Sequence, residues 1–245
     1  MERRIPEALM GALRPITVIV GHYGTGKTNL AVNLALDLAR AGKGTTLIDI
    51  DVVNPYFRAS EQRTVLEAAG VDLVAPVFSE AGTSLDVPSL TGRIEPAIQG
   101  AGPDRFVIID AGGDDVGATA LGRFARFIDA PALPDGTARY AMLCVLNRYR
   151  NLVQDPQDAL DNLREIETAS HLRATGLISN AHMKAETQPA HIAEGLAYAR
   201  EVSKLAGLPL VAFTYPATIG SSSVDEESAL PYCVELLVRT PWEQE

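Results

Sequence analysis

Cysteine and long apolar runs are scarce in this sequence, and each scarcity removes a class of protein. The 245 residues contain only two cysteines, Cys144 and Cys233. Two are too few for a disulfide framework, and they form no CxxC or CxH metal pattern. We therefore expect reduced thiols in a cytoplasmic protein. No apolar run approaches the roughly 18 residues of a membrane-spanning helix, so we expect no membrane segment.

Positive charge is also in deficit. Lysine and arginine number 21 against 31 acidic residues, which gives a net charge of −10. Proteins that bind nucleic acid or anionic membranes usually show the opposite balance, so we do not expect a nucleic-acid partner. Hydrophobic residues make up 47% and charged residues 21%. These fractions are ordinary for folded domains and exclude disordered and fibrous classes.

Apolar, strand-like runs alternate with helical patterns along the chain. Continuous apolar strands joined by helices predict an α/β fold: a doubly wound, mostly parallel sheet of about seven strands. We expect one domain over residues 1–245 with a core of about 16–218, and we expect the segment 221–228 and the last residues to be peripheral. The predicted strands cover residues 16–20, 45–50, 73–77, 106–109, 140–146, 175–179 and 210–214.

A phosphate-binding loop follows the first of these strands. Residues 21–28 read GHYGTGKT and fit the pattern GxxxxGK[ST] between a strand and a helix. Glycines let backbone N–H groups approach phosphate oxygens, while Lys27 would bridge the β- and γ-phosphates and Thr28 would bind Mg²⁺. The residues predicted to hold the nucleotide here are Gly21, Tyr23, Gly24, Thr25, Gly26, Lys27, Thr28 and Asn29.

An acidic residue at the end of a neighbouring strand is required to hold magnesium. The apolar run 106–109 ends at Asp110 and continues as a DxxG pattern, in which the N–H of Gly113 would sense the γ-phosphate. Capping of the following turn is the alternative role of Asp110. Asp49 and Asp51 close the second strand on one face, either facing the ligand crevice or as surface carboxylates.

These segments together resemble a known group of proteins. The loop 21–28, the strand end Asp49-x-Asp51 and residues 110–114 are similar to the MinD/ParA/nitrogenase iron protein group of P-loop NTPases. That group also includes cobyrinic acid a,c-diamide synthase-type domains. The resemblance extends over residues 16–218.

The resemblance implies roles for several of these residues. Asp51 matches a first-switch residue that positions the attacking water, Asp110 matches the Walker B residue, and Asp114 matches an acidic residue of the second switch. It implies Lys27, Asp51 and Asp114 as catalytic residues. It implies Thr28, Asp51 and Asp110 as the magnesium ligands.

The base and the cofactors are implied in the same way. Asn180, at the end of a later strand, resembles the asparagine that reads adenine, and Asn147 is a weaker match. The guanine-reading N/TKxD motif is absent at both places. We therefore expect ATP rather than GTP, bound with Mg²⁺.

The sequence departs from the group at other positions. His22 stands where many members carry a lysine that reaches the nucleotide of a dimer partner, and Arg58 or Arg63 could substitute for that lysine in a homodimer. The cysteines that hold an iron–sulfur cluster are missing, so we expect none. Residues 54–62 would either contact an unknown client protein or anchor the next helix.

Three functional classes remain open. The first is a cytoplasmic P-loop ATPase that acts as a MinD/ParA-like switch. The alternative is an ATP-dependent synthase or ligase of the cobyrinic acid a,c-diamide synthase or dethiobiotin synthetase type. The third is a module that binds nucleotide without hydrolysing it.

Overall fold

The computed structural model describes residues 5–51, 59–75, 92–113, 115–219 and 229–238. Within these ranges the chain forms one sheet of eight strands. The strands are β1 (Ile16–Val20), β2 (Gly44–Asp49), β3 (Val71–Val74), β4 (Arg105–Asp110), β5 (Tyr140–Leu146), β6 (Gly176–Ser179), β7 (Leu210–Pro216) and β8 (Leu230–Val234).

Helices connect the strands, and their ends follow local sequence. Asp155 accepts a hydrogen bond from the N–H of Gln157 at the start of α7, and a left-handed Gly207 ends α8. No helix in the described part of the chain has both the length and the apolar character that crossing a bilayer requires. The helices are α1 (Glu7–Ala12), α2 (Lys27–Arg40), α3 (Arg63–Ala68), α4 (Ile94–Gln99), α5 (Asp115–Gly122), α6 (Ala125–Ile128), α7 (Pro156–Ser170) and α8 (Pro189–Ala206).

The order of the strands places β1 at the centre of the site. The sheet runs β3-β2-β4-β1-β5-β6-β7-β8, and every neighbouring pair is parallel. Because β1 lies between β4 and β5, the chain winds outward in both directions from it. The register pairs Ile19 with Asp110, so the loop after β1 and the acid after β4 meet at one edge. Ligands of open α/β sheets bind at such a point.

Both faces of the sheet are covered, which explains the uninterrupted apolar strands. On β1, Ile16, Val18 and Val20 belong to one buried cluster, while Ile19 belongs to the other. The first cluster includes residues of α4, α5, α7 and α8, and the second includes residues of α1, α2 and α3. Alternate strand residues therefore anchor opposite helical layers, and the central strands are fixed in register.

The predicted doubly wound α/β fold is confirmed, with one more strand than expected. Residues 239–245 at the end of the chain, predicted to be peripheral, lie outside the described residues. β8 lies beyond the predicted core of about 16–218: it adds to the edge of the sheet, and Tyr232 within it is buried. Pro231 interrupts its apolar pattern, but an edge strand tolerates proline because one side of its backbone has no strand to bond. The segment 221–228 lies outside the described residues.

Candidate functional site

Three glycines shape the loop between β1 and α2. Gly21, Gly24 and Gly26 have φ angles of 136°, 75° and 91°, in the region that favours glycine. A Cβ on Gly21 would collide with the carbonyl oxygen of Val145, and one on Gly26 would collide with the side-chain amide of Asn180. Conformation therefore favours glycine at all three positions, and close packing also requires it at Gly21 and Gly26.

The carbonyl oxygen of His22 draws the loop together. It accepts hydrogen bonds from the Lys27 ammonium at 3.1 Å, from the Thr25 hydroxyl at 2.9 Å and from the Thr25 N–H at 3.3 Å. Lys27 is only 6% exposed. Its charged end is therefore held within the loop, at the place predicted for phosphate.

Asp110 is a buried carboxylate beside this ammonium. It is 1% exposed, and neither of its oxygens accepts a hydrogen bond of normal geometry from any described residue. Burial raises its pKa well above the ordinary value and the charge on Asp49 raises it further, while Lys27 and the Thr28 hydroxyl lower it. A buried carboxylate without well-formed hydrogen bonds is costly and is stabilised by a cation.

Magnesium fits this arrangement. Thr28, Asp51 and Asp110 offer the hard oxygen atoms that the ion prefers. The described residues contain no group of three or more His, Cys, Asp or Glu side chains placed to hold a metal. A sparse protein contribution agrees with an ion that takes most of its ligands from phosphate and water.

The two aspartates after β2 have different surroundings. Asp49 accepts hydrogen bonds from the N–H of Asp51 at 3.1 Å and from the N–H of Ala59 at 3.2 Å. It thereby ties together the residues on either side of 52–58. Asp51 is 7% exposed and lines the cavity next to the loop. Of this pair, Asp51 is the one placed to face a ligand.

Asn180 lines the cavity, and its side chain also forms a hydrogen bond with the phosphate loop. Its side-chain N–H donates to the carbonyl oxygen of Thr25 at 2.6 Å, and its side-chain oxygen accepts from the Thr214 hydroxyl. Asn147 is also engaged: its side-chain oxygen accepts from the N–H of Tyr149 at 3.1 Å. The adenine-reading role of Asn180 therefore stays a prediction, beside a bracing role that sequence reasoning missed.

The remaining predicted residues divide into those in place and those not described. A Cβ on Gly113 would lie 2.6 Å from the N of Tyr23 and 2.8 Å from Nζ of Lys27, so this glycine lies directly against the loop. Asp114 and Arg58 lie outside the described residues. Arg63 is on α3, where it pairs with Glu67 at 3.0 Å on an exposed surface.

A cavity of about 540 Å³ opens beside the loop. Its walls include the predicted loop residues other than Gly21 and Thr25, and a second set that sequence reasoning missed. The missed set has no motif, because its members come from turns after β5 and β6 and from β7, β8 and the segment that follows. Members of this set include Arg150, Leu152, His182, Lys184, Thr187, Pro216, Val234, Leu236 and Val238.

The segment after β8 is fastened to the first turns of α2. The side-chain N–H groups of Asn29 and Asn33 donate to the carbonyl oxygen of Glu235 at 2.9 and 3.0 Å. In return, Asn29 accepts from the N–H of Leu237 at 2.9 Å, and Asn33 accepts from the N–H of Glu235 at 2.9 Å. The predicted nucleotide residue Asn29 therefore uses its side chain to hold a wall of the cavity.

The cavity lining carries more cationic than acidic side chains although the chain as a whole is acidic. Its lining includes Lys27, Arg150 and Lys184 against one carboxylate, Asp51. Burial lowers the pKa of His182 to about 4, and the charges of Arg150 and Lys184 lower it too. An excess of cationic side chains in the cavity lining favours an anionic ligand.

The fold and the site together define a P-loop NTPase. A central parallel strand runs into a GxxxxGK[ST] loop and a helix, and Asp110 closes the neighbouring strand. The chain belongs to the CobQ/CobB/MinD/ParA nucleotide binding domain family, whose model matches residues 16–194. The prediction of a MinD/ParA-like P-loop NTPase is confirmed.

Several named proteins are similar to parts of this chain. The cytosolic Fe-S cluster assembly factor CFD1 of Yarrowia lipolytica is 31% identical over 87 residues, which are 34% of this chain and 29% of that protein. The structure of the cell division protein FtsY of Thermotoga maritima is similar over 91% of this chain and 66% of its own, at 21% identity and a TM-score of 0.47. The signal recognition particle 54 kDa protein of Aeropyrum pernix is similar over 81% of this chain and 40% of its own, at 16% identity and a TM-score of 0.48. The chain thus spans less than a third of the curated relative.

Proposed function

We propose that this protein binds ATP with Mg²⁺ and hydrolyses it as a MinD/ParA-like switch in the cytoplasm. The observation that carries the proposal is the buried Asp110 carboxylate, whose oxygens accept no hydrogen bond of normal geometry from the described residues and which lies close to Lys27 and Thr28. An acid, an ammonium and a hydroxyl grouped in this way are the parts that a phosphate–magnesium site needs.

Each residue has a distinct part in the proposed reaction. Lys27 exchanges the His22 carbonyl for the β- and γ-phosphates, whose charge it neutralises. Thr28, Asp51 and Asp110 hold Mg²⁺, which withdraws charge from the phosphate oxygens when it is bound. Catalysis of phosphoryl transfer is largely positioning and charge stabilisation, so orienting the water is the remaining task.

The two switch regions are proposed to contact the attacking water and the γ-phosphate. Asp51 lines the cavity and is proposed to orient the attacking water, with Asp114 contributing from the second switch. Gly113 lies against the loop, where its N–H would contact the γ-phosphate. Loss of that contact after hydrolysis would reset the switch.

Adenine is the proposed base. The residues after Asn180 are Ala181, His182 and Met183, so no carboxylate follows at the position where guanine readers place one. The cavity wall includes Pro216, Val234 and Leu236, whose apolar surfaces suit the faces of a purine. Asn180 uses one side-chain N–H on Thr25 and has a second N–H that could contact the base.

An iron–sulfur cluster is not part of the proposal, although the name of one relative refers to cluster assembly. Cys144 lies on β5 and is buried, and Cys233 lies on β8. Three strand spacings separate these strands, or about 14 Å. One cluster within the chain could not bind both thiols.

The proposed partners are an unidentified client protein and a second copy of the chain.

The test is titration calorimetry with ATP and GTP in the presence of Mg²⁺, together with phosphate release. Lys27→Ala should weaken ATP binding or turnover at least about tenfold, or about 1.4 kcal/mol. Lys43→Ala is the matched control, since Lys43 pairs with Asp104 on the surface before β2. Equal effects of the two substitutions would refute the phosphate-loop assignment.

Two further comparisons separate the finer alternatives. Equal competition by GTP would remove the proposed adenine preference. If turnover requires a small carboxylic acid as a co-substrate, the protein is an ATP-dependent ligase of the same fold and not a switch. Turnover by the protein and ATP alone supports the switch.

A further inference from the structure

Arg150 has no role in the proposed function so far, yet it lies against the phosphate loop. It belongs to the turn after β5 and lines the 540 Å³ cavity. Its Cδ and Nε atoms are 3.5 and 3.7 Å from the point that a Cβ on Gly24 would occupy. The stem of the arginine side chain therefore packs directly on Gly24, the middle glycine of the loop.

The guanidinium lacks a partner in the described part of the chain. Its Nε is buried and makes no hydrogen bond, and the ion pairs between described residues do not include Arg150. Burial also lowers its pKa. A partly buried cation without an acidic neighbour is costly, and an anion in the cavity would offset that cost.

The turn holds the arginine in place. The N–H of Arg150 donates to the carbonyl oxygen of Asn147 at 3.1 Å, and the Tyr198 hydroxyl donates to the carbonyl oxygen of Val153 at 2.5 Å. Between them Leu152 has a φ of 68°, which is uncommon for a residue with a side chain. Such backbone strain is typical of sites where a side chain is pre-positioned for a ligand.

A neighbouring arginine shows the contrast. Arg148 is two residues earlier, pairs with Glu194 at 3.6 Å and lies over the Tyr149 ring at 5.7 Å. It does not belong to the cavity lining. Of the two arginines in this turn, Arg148 is paired with an acid on the surface and Arg150 faces the loop.

We propose that Arg150 binds the phosphate chain of the nucleotide within the same subunit. The inference rests on the proposed nucleotide binding and adds a second cation to Lys27. A guanidinium can donate two parallel hydrogen bonds to phosphate oxygens, which fixes the chain as well as neutralising it. Arg150 therefore contributes to affinity through the phosphates and not through the base or the sugar.

The test compares ligands that differ in phosphate number. Calorimetry with ATP, ADP and adenosine is performed on the wild type, Arg150→Gln and Arg148→Gln. Arg150→Gln should weaken ATP and ADP at least about tenfold and leave adenosine unchanged, and the remaining ATP affinity should depend less on salt. Arg148→Gln should match the wild type with all three ligands.

The outcomes separate the inference from the function on which it rests. If Arg150→Gln and Arg148→Gln bind ATP equally, the inference is wrong while nucleotide binding stands. If Arg150→Gln weakens adenosine as much as ATP, a phosphate contact is also wrong. If the wild type binds no nucleotide, the proposed function fails and the inference fails with it. Arg150→Met, which keeps the stem packed on Gly24, decides the same question if the Gln variant does not fold.

Discussion

Asn180 donates its side-chain amide to the carbonyl oxygen of Thr25 across 2.6 Å, which joins the end of β6 to the phosphate loop. The bond links residues 155 positions apart and is buried. It makes the shape of the loop depend on a strand two places away from β1 in the sheet.

Replacement of Asn180 tests this brace. Asn180→Ala leaves the Thr25 carbonyl and the Thr214 hydroxyl without their partner, so the free energy of unfolding without nucleotide should fall by about 1–3 kcal/mol. Urea denaturation measures it. Loss of the preference for ATP over GTP with unchanged apo stability would instead indicate that the residue only reads the base.

Two glycines at opposite ends of α2 provide the next prediction. Gly26 and Gly42 both have positive φ, at 91° and 79°, but only Gly26 is crowded, by Asn180 and by Nε2 of His182. Gly42→Ala should cost about 1 kcal/mol and leave nucleotide binding intact. Gly26→Ala should cost more and abolish binding. Denaturation and calorimetry on the pair separate backbone strain from steric collision, and equal behaviour would contradict the close packing.

The pH dependence of stability should contain a contribution from His182. Burial and two neighbouring cations lower its pKa from 6.5 to about 4, so the folded state keeps the ring neutral. The unfolded chain binds a proton below pH 6.5 that the folded chain does not. The contribution is therefore present above pH 6.5 and lost as pH falls towards 4.

Comparison with His182→Gln isolates this contribution. Because the ring keeps some exposure, we expect the stability difference between wild type and variant to change by about 1–2 kcal/mol across that window. The wild type should lose stability relative to the variant on acidification. A difference that stays constant from pH 7 to pH 4.5 would contradict the buried, neutral ring.

The clamp on the segment after β8 can be tested amide by amide. Asn33 accepts a hydrogen bond from the N–H of Glu235, and Asn29 accepts from the N–H of Leu237. Asn33→Ala should speed hydrogen exchange chiefly at Glu235, and Asn29→Ala chiefly at Leu237. Each variant is the control for the other, and identical exchange profiles would show that the segment opens as one unit.

Local spacing explains why much of the site was predictable. The phosphate loop occupies eight consecutive residues, and Asp110 follows its own apolar strand directly, so both patterns are visible without knowledge of tertiary structure. The parallel sheet follows from uninterrupted apolar runs, since helices cover both of its faces. Such features are encoded within short stretches of chain.

Other parts of the site depend on contacts that spacing does not reveal. Asn29 and Glu235 are 206 residues apart, and no motif joins them. β8 carries Pro231, which weakens a strand pattern unless the strand is known to lie at an edge. Arg150 sits in a turn with ordinary composition, and its packing against Gly24 and its place in the cavity lining distinguish it from Arg148.

The phosphate loop and the opposite wall of its cavity are far apart along the chain, and this separation affects how the protein folds during synthesis on the ribosome. Val234, Leu236 and Val238 complete the cavity, yet they are translated some two hundred residues after the loop. Most of the sheet can therefore form before the cavity is closed, and the nascent chain holds only part of the wall around its loop. Nucleotide can stabilise this protein fully only after residue 238 has emerged, so ligand would assist the last step of folding rather than its nucleation.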